Sequence, residues 1–159
     1  MQVVRIISGG QTGADRGGLD AARVFGIPCG GWCPLGRLAE DGYIPKKYAL
    51  RETSSSRYIV RTRANVVAAD ATVVFTPGKP AGGSLATIEL ARREHRPFLH
   101  LDLEADDDSE LASRLGAWVR DDPCLNAPVL PGFPEEPDGV ILNVAGSRES
   151  QCPGIQARV

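Results

Sequence analysis

Most of the residues that could do chemistry gather in four short stretches. The first, Gly9-Gly10-Gln11-Thr12-Gly13-Ala14-Asp15, follows a β-branched apolar run and opens a helical pattern. Glycines there permit a tight turn, and free N–H groups at a helix start favour a phosphate or carboxylate. Gln11 and Thr12 add side-chain donors; Asp15 is either a ligand contact or a first-turn carboxylate that complements the helix dipole. The second stretch, Gly82-Gly83-Ser84-Leu85-Ala86-Thr87-Ile88-Glu89, again joins a strand pattern to a helix pattern, with Ser84 and Thr87 as hydroxyl donors. Two such turns in one chain point to an anionic ligand more firmly than either alone. Neither has the spacing GxGxxG or GxxxxGK(S/T), so a dinucleotide fingerprint and a nucleoside-triphosphate loop are excluded.

The third stretch runs from Cys29 to Gly42. In it Trp32 can stack on a planar ring and Arg37 can clamp an anion through a bidentate contact. The alternative is a Trp32 that anchors the loop and an Arg37 paired with Glu40 or Asp41. The fourth, Asn143 to Ser150, offers Gly146, Ser147 and Arg148, whereas Asn143 reads as a structural amide inside a strand. Among carboxylates, Glu89, Asp15 and Asp41 are the candidates for acid/base work.

These stretches need a scaffold that brings them to one edge. Gln2–Ser8, Ile27–Trp32, Ala71–Thr76, Pro97–Leu101 and Gly139–Ala145 are short and apolar, as strands buried on both faces are. Helical patterns lie between them: Ala14–Phe25, stopped by Gly26 and Pro28; a helix from about Tyr58 to Ala69, capped by one of Ser54 to Ser56; Gly82–Glu94; and Ser109–Arg120. Such alternation predicts a doubly wound α/β fold, Rossmann-like, with a mainly parallel sheet of five strands and one domain over residues 1–159. Ligands in such sheets bind beyond the carboxyl ends of the strands, where the strand order reverses. Between the second strand and the Tyr58 helix, Pro34–Ser56 is a long irregular loop, and Pro123–Pro137, with five prolines, is an extended connector.

Composition narrows the function. The 18 glycines and 12 prolines exceed the roughly 11 and 8 of average usage, and most of the glycines fall in the loops after strands. Net charge is −2, yet Asp102–Asp122 alone carries eight acids against two arginines, so the remainder is mildly basic. That suits an anionic small molecule, and without a basic stripe no nucleic-acid partner is expected. No apolar run approaches the ~18 residues of a membrane span, and no basic, apolar leader pattern opens the sequence, so the expected location is the cytoplasm, without a membrane partner. Cys29, Cys33, Cys124 and Cys152 form no CxxC pair, His95 and His100 lie elsewhere, and no metal site is expected.

The motifs ISGGQTGADRGGLDAA, GIPCGGWCPLGRLAEDG, RTRANV, GGSLAT and NVAGSRES, in this order, resemble the molybdenum cofactor carrier family. That family is related to the LOG (lysine-decarboxylase-like) and DprA-type Rossmann-like domains. The resemblance implies an oligomer whose glycine loops hold a nucleotide-like or pterin-phosphate ligand, molybdenum cofactor being one. The loops themselves offer as candidate ligand contacts Gly9, Gly10, Gln11, Thr12, Gly13, Asp15, Trp32, Arg37, Gly82, Gly83, Ser84, Thr87, Gly146, Ser147 and Arg148. The second glycine turn is also similar to the PGGxGTxxE loop of LOG phosphoribohydrolases, but has Leu85 and Ala86 at the third glycine and the threonine. A carrier of a phosphorylated, ring-containing molecule is therefore the first expectation. A nucleotide hydrolase using Glu89, and a nucleotide-sensing signalling module, are the alternatives.

Overall fold

The structure is a computed structural model and describes residues 2–125 and 139–159. In chain order its elements are β1 (Val3–Ile7), α1 (Ala14–Val24), β2 (Cys29–Gly30), β3 (Trp32–Cys33), β4 (Leu38–Ala39), β5 (Gly42–Tyr43), β6 (Arg51–Glu52), α2 (Tyr58–Ala68), β7 (Ala71–Thr76), α3 (Gly82–Arg93), β8 (Phe98–Asp102), α4 (Asp108–Asp121), β9 (Val140–Gly146) and α5 (Ile155–Arg158). Among the described residues, five strands form one parallel sheet in the order β2-β1-β9-β7-β8. This is the expected Rossmann-like α/β arrangement. No helix among them is long and apolar enough to cross a membrane. Most of the proline-rich connector lies outside the described residues.

Burial explains which strand is central to the packing. All six residues of β7 are buried, with Ala71, Val73 and Phe75 in one cluster with Leu142 and Val144 of β9, Leu111 and Val119 of α4, Ala14 of α1 and Ile155 of α5. On the opposite face Val66 of α2, Leu90 and Ala91 of α3 form a second, smaller cluster with Phe98. Each fully buried Val or Phe of this kind contributes about 1.5–3 kcal/mol relative to an exposed one. Order along the sheet steps outward from β1 to β2 on one side and from β7 to β8 on the other, with β9 between. The helices that follow β1 and β7 therefore leave on opposite faces, and a crevice opens between them at the carboxyl ends of the strands.

Helix boundaries have local causes. At the end of α1, Gly26 takes φ +68°, and the N–H groups of Gly26 and Ile27 reach the carbonyls of Arg23 and Ala22, closing the helix in a Schellman turn. Asp107 caps α4 by accepting from the Glu110 N–H at 2.9 Å, with Asp108 and Glu110 in its first turn. The expected serine cap on α2 does not form: Arg57, with no side-chain acceptor, is the N-cap residue, and the Ser55 hydroxyl accepts from the Arg57 N–H just outside the helix.

Two other expectations are corrected. β1 is not buried on both faces, because Arg5 in its middle is exposed. The second strand is split: Cys29–Gly30 pairs with β1, then the chain turns at Gly31 and Trp32–Cys33 pairs instead with β6. Nor is Pro34–Ser56 irregular throughout, since it contains the β4–β5 hairpin and packs Cys33, Ala39, Ile44, Tyr48 and Leu50 around Leu19 of α1.

Gly31 makes the turn at φ +124°, where a Cβ would overlap the Ser8 carbonyl oxygen. Gly31→Ala should therefore cost about 2–3 kcal/mol, against about 1 for Gly26→Ala, which has a positive φ but open space. Urea midpoints of the two variants check this, and equal losses would refute the steric account.

Candidate functional site

The crevice encloses about 260 Å³ and is walled by residues from five segments. Gly9, Gln11 and Asp15 come from the first glycine loop and α1, Gly83, Ser84 and Thr87 from α3, Asn143 to Gly146 from β9, and Arg148 and Gln151 from the loop that follows. The fifth wall is α2, which contributes Tyr58, Arg61, Thr62 and Asn65. Their spacing of i, i+3, i+4 and i+7 puts them on one helix face.

Asp15 and Arg61 form a buried ion pair at 2.6 Å beside this crevice. The same carboxylate accepts from the Gln11 N–H at 3.2 Å. Gly9 leaves room for this pair, since a Cβ would overlap the Arg61 guanidinium and make it move. Two buried donors at the crevice have no partner among the described residues: Arg61 Nε and Gln11 Nε2. The Gln11 amide is oriented by its oxygen, which accepts from the N–H groups of Thr12 at 3.0 Å and Glu40 at 2.9 Å. An unmet buried donor costs about 1–3 kcal/mol. The Arg61 and Arg148 guanidinium groups both approach the Tyr58 ring, at 5.7 and 5.2 Å from its centre.

The two glycine turns differ in what they still offer. At the first, the Gln11 N–H is taken by Asp15, the Thr12 N–H by the Gln11 side chain and the Ala14 N–H by the Ser147 carbonyl at 3.1 Å. It therefore acts as scaffold, and the anion cradle read there is largely closed. At the second, the N-cap residue Ala81 supplies no side-chain bond; its carbonyl accepts from the Ser84 N–H at 3.1 Å, and the N–H groups of Gly82 and Gly83 are left without a partner among the described residues. Ser84 is buried there, and its hydroxyl has no hydrogen bond among the described residues. Thr87 donates its own hydroxyl to the Gly83 carbonyl at 2.9 Å.

Eight of the residues expected at the site line the crevice: Gly9, Gln11, Asp15, Gly83, Ser84, Thr87, Gly146 and Arg148. Gly10, Thr12, Gly13, Gly82 and Ser147 do not line it, although they belong to the turns that shape it. Three expectations are corrected more strongly. Arg37 is no anion clamp, because its guanidinium donates to the carbonyls of Ile44, Pro45, Tyr48 and Leu50 and staples the 34–50 segment together. Trp32 lies on a separate groove with Arg5 and Arg51. Glu89 is exposed on α3 and lines no part of the crevice. Asp41 is occupied too: Arg16 grips it through both terminal nitrogens, at 2.6 and 2.9 Å, and these bonds hold its pKa below the ordinary carboxylate range.

Tyr58, Arg61, Thr62, Asn65 and Gln151 were missed as site residues. The polar stripe Tyr58-x2-Arg61-Thr62-x2-Asn65 on an otherwise apolar helix was the available signal for four of them. Nothing comparable marks Gln151.

With the geometry in hand, comparison with known proteins places the chain. A family model described as the circularly permutated YpsA SLOG family matches residues 6–159. The chain belongs to this family. The SLOG chain is also similar to a crystal structure from Syntrophus aciditrophicus SB, named a "putative molybdenum carrier protein", with 37% identity and a TM-score of 0.84. The similarity covers 98% of this chain and 89% of that one. No curated protein matches the sequence. The resemblance read from the glycine motifs thus extends over nearly the whole SLOG chain.

A clasp joins two of the loops that follow the strands. The Glu40 carboxylate accepts from the Thr12 hydroxyl and from the Ser150 hydroxyl and N–H, tying the 34–42 loop to the loop after β9. Desolvation pushes the Glu40 pKa up, but the Ser150 and Thr12 hydrogen bonds outweigh it and the net shift is downward. A lowered folded-state pKa means the clasp stabilises fully above the ordinary glutamate value and is lost as pH falls through the folded one. The stability gap between wild type and Glu40→Gln should then shrink between about pH 7 and about pH 3; a gap independent of pH would contradict the assignment. Arg37→Met should lower stability by about 3 kcal/mol or more, by leaving four carbonyls short of a donor, without altering ligand affinity. Denaturant titration alongside a binding isotherm separates the two effects, and weakened binding at unchanged stability would restore Arg37 to the site.

Proposed function

We propose that this SLOG protein is a binding protein of carrier type for a phosphorylated, ring-containing small molecule, held in the crevice between α1, α2 and α3. The observation that carries the reading is the set of donors without protein acceptors on residues that line the crevice: Arg61 Nε, Gln11 Nε2, the Ser84 hydroxyl and the Gly83 N–H. Arg148, which has no ion pair among the described residues, adds a second positive charge across Tyr58. Together these suit a phosphate, with Tyr58 available to the attached ring. In this reading residues 1–159 act as one ligand-binding unit.

Molybdenum cofactor, a phosphorylated pterin dithiolene, is the cargo suggested by the name of the Syntrophus protein. The donor set fits its phosphate and the polar edges of a pterin, while none of Cys29, Cys33, Cys124 and Cys152 lines the crevice to offer the metal a thiolate. A volume of about 260 Å³ is at the lower limit of small-molecule sites, ~300 Å³, so part of a pterin or nucleotide would lie across the open mouth.

Calorimetric titration with nucleoside monophosphates and pterin phosphates tests the proposal. Phosphate-bearing ligands should bind and raise the melting temperature, and Arg148→Ala should weaken them by roughly ten- to a hundredfold at unchanged stability. Equal affinity for the dephosphorylated compounds would sink the reading. Release of free base during the titration would replace it with a hydrolase.

A further inference from the structure

Trp32 lines a groove that the proposed function does not use. Parallel sheets in α/β proteins are ordinarily covered on both faces. Here α2 and α3 pack together against β9, β7 and β8, and Arg5 remains exposed in the middle of β1, although strands flank it on either side. The uncovered face becomes the floor of a groove of about 330 Å³, with Ile7 and Cys29 in it. Trp32 and Arg51, register partners in the β3–β6 pair, form one wall.

Three features of this groove point to a ligand. Arg5 and Arg51, both exposed, line it with no ion pair or side-chain hydrogen bond among the described residues. Trp32 is held by its backbone alone: its N–H donates to Asn65 Oδ1 at 2.8 Å and its carbonyl accepts from Asn65 Nδ2 at 2.9 Å. Its indole N–H has no partner among the described residues, and the partly buried side chain lies at the groove. The groove thus brings together an aromatic side chain with a free N–H and two exposed positive charges, the parts that a ring bearing an anionic group would engage.

We propose that this groove is a second binding site, for a planar aromatic ring that carries an anionic group, as a nucleoside monophosphate does. The ring stacks on Trp32, and Arg5 and Arg51 hold the anion. Asn65 stands between the two sites, lining the crevice with its side chain while it holds the Trp32 backbone.

Trp32 and Trp118 are the two tryptophans, so Trp118→Phe leaves Trp32 as the sole reporter. Adenosine monophosphate should quench its fluorescence saturably, and Arg5→Ala with Arg51→Ala should raise the apparent Kd by about tenfold or more. Arg148→Ala should leave the quench unchanged, which separates this site from the crevice. Inorganic phosphate and adenine should each quench less than the intact nucleotide. Trp118 bonds to Asp122 at 2.9 Å, so the titration is repeated in the wild type with Trp32→Phe as control, and the signal should vanish there. No saturable quench in either background overturns the proposal, as does a quench abolished by Arg148→Ala and retained without Arg5 and Arg51. Shielding of Trp32 from acrylamide that grows with protein concentration also overturns it, by assigning the groove to a second copy of the chain.

Discussion

The buried ion pair between Asp15 and Arg61 sets the terms for the crevice. Removing two charges from water costs several kcal/mol for each, and attraction at 2.6 Å offsets that only when the remaining donors and acceptors are met. Asp15 meets the condition through the Gln11 N–H, whereas Arg61 does not, because its Nε stays without a partner. The pair also dictates composition nearby. Gly9 leaves the volume that the guanidinium fills, and Arg61 in turn positions the face of α2 that carries Tyr58, Thr62 and Asn65.

Strand order makes the same site depend on distant parts of the chain. The last strand in sequence, β9, occupies the middle of the sheet, where Ser8 donates its hydroxyl to the Val144 carbonyl at 2.6 Å and Asp70 accepts from the Ile141 N–H at 2.7 Å. Gly146 and Arg148 reach the crevice only once this strand is inserted between β1 and β7. Assembly of the pocket therefore waits on the least local pairing in the sheet, the kind that loop-closure entropy makes slow.

The fold was legible because its signals are local. Apolar runs at β7 and β9, a glycine stop at Gly26 and an acidic cap before α4 act over a few residues, and the structure agrees to within a residue or two at most boundaries. The glycine turns made Gly9, Gln11, Asp15, Gly83, Ser84 and Thr87 legible as crevice residues, although Gly10, Thr12, Gly13 and Gly82 of the same turns do not line it. Arg37 and Trp32 were not, since whether an arginine meets a ligand or four carbonyls depends on how residues 44 to 50 fold back, which no spacing encodes. Arg61 shows the converse: a polar residue in a helix looks solvated until its partner Asp15, 46 residues earlier, is placed beside it.

The same folding back explains why two similar turns end with different roles. Both glycine turns begin as helix N-termini with unmet N–H groups. The first lies under the 34–56 segment and the loop after β9, and these supply the Ser147 carbonyl, while Gln11 and Asp15 meet the neighbouring N–H groups; its dipole is spent on the protein. The second has no such cover: the Ala81 carbonyl accepts from the Ser84 N–H, but Ala81 has no side-chain oxygen for the Gly82 and Gly83 N–H groups. These two N–H groups stay unmet, with Arg61 and Arg148 on the adjoining walls of the crevice. Asp15, the carboxylate lining the same crevice, is committed to Arg61 and to a backbone N–H. The division of roles thus lies in what covers each turn: the carboxylate is engaged at the first, and the unmet N–H groups remain at the second.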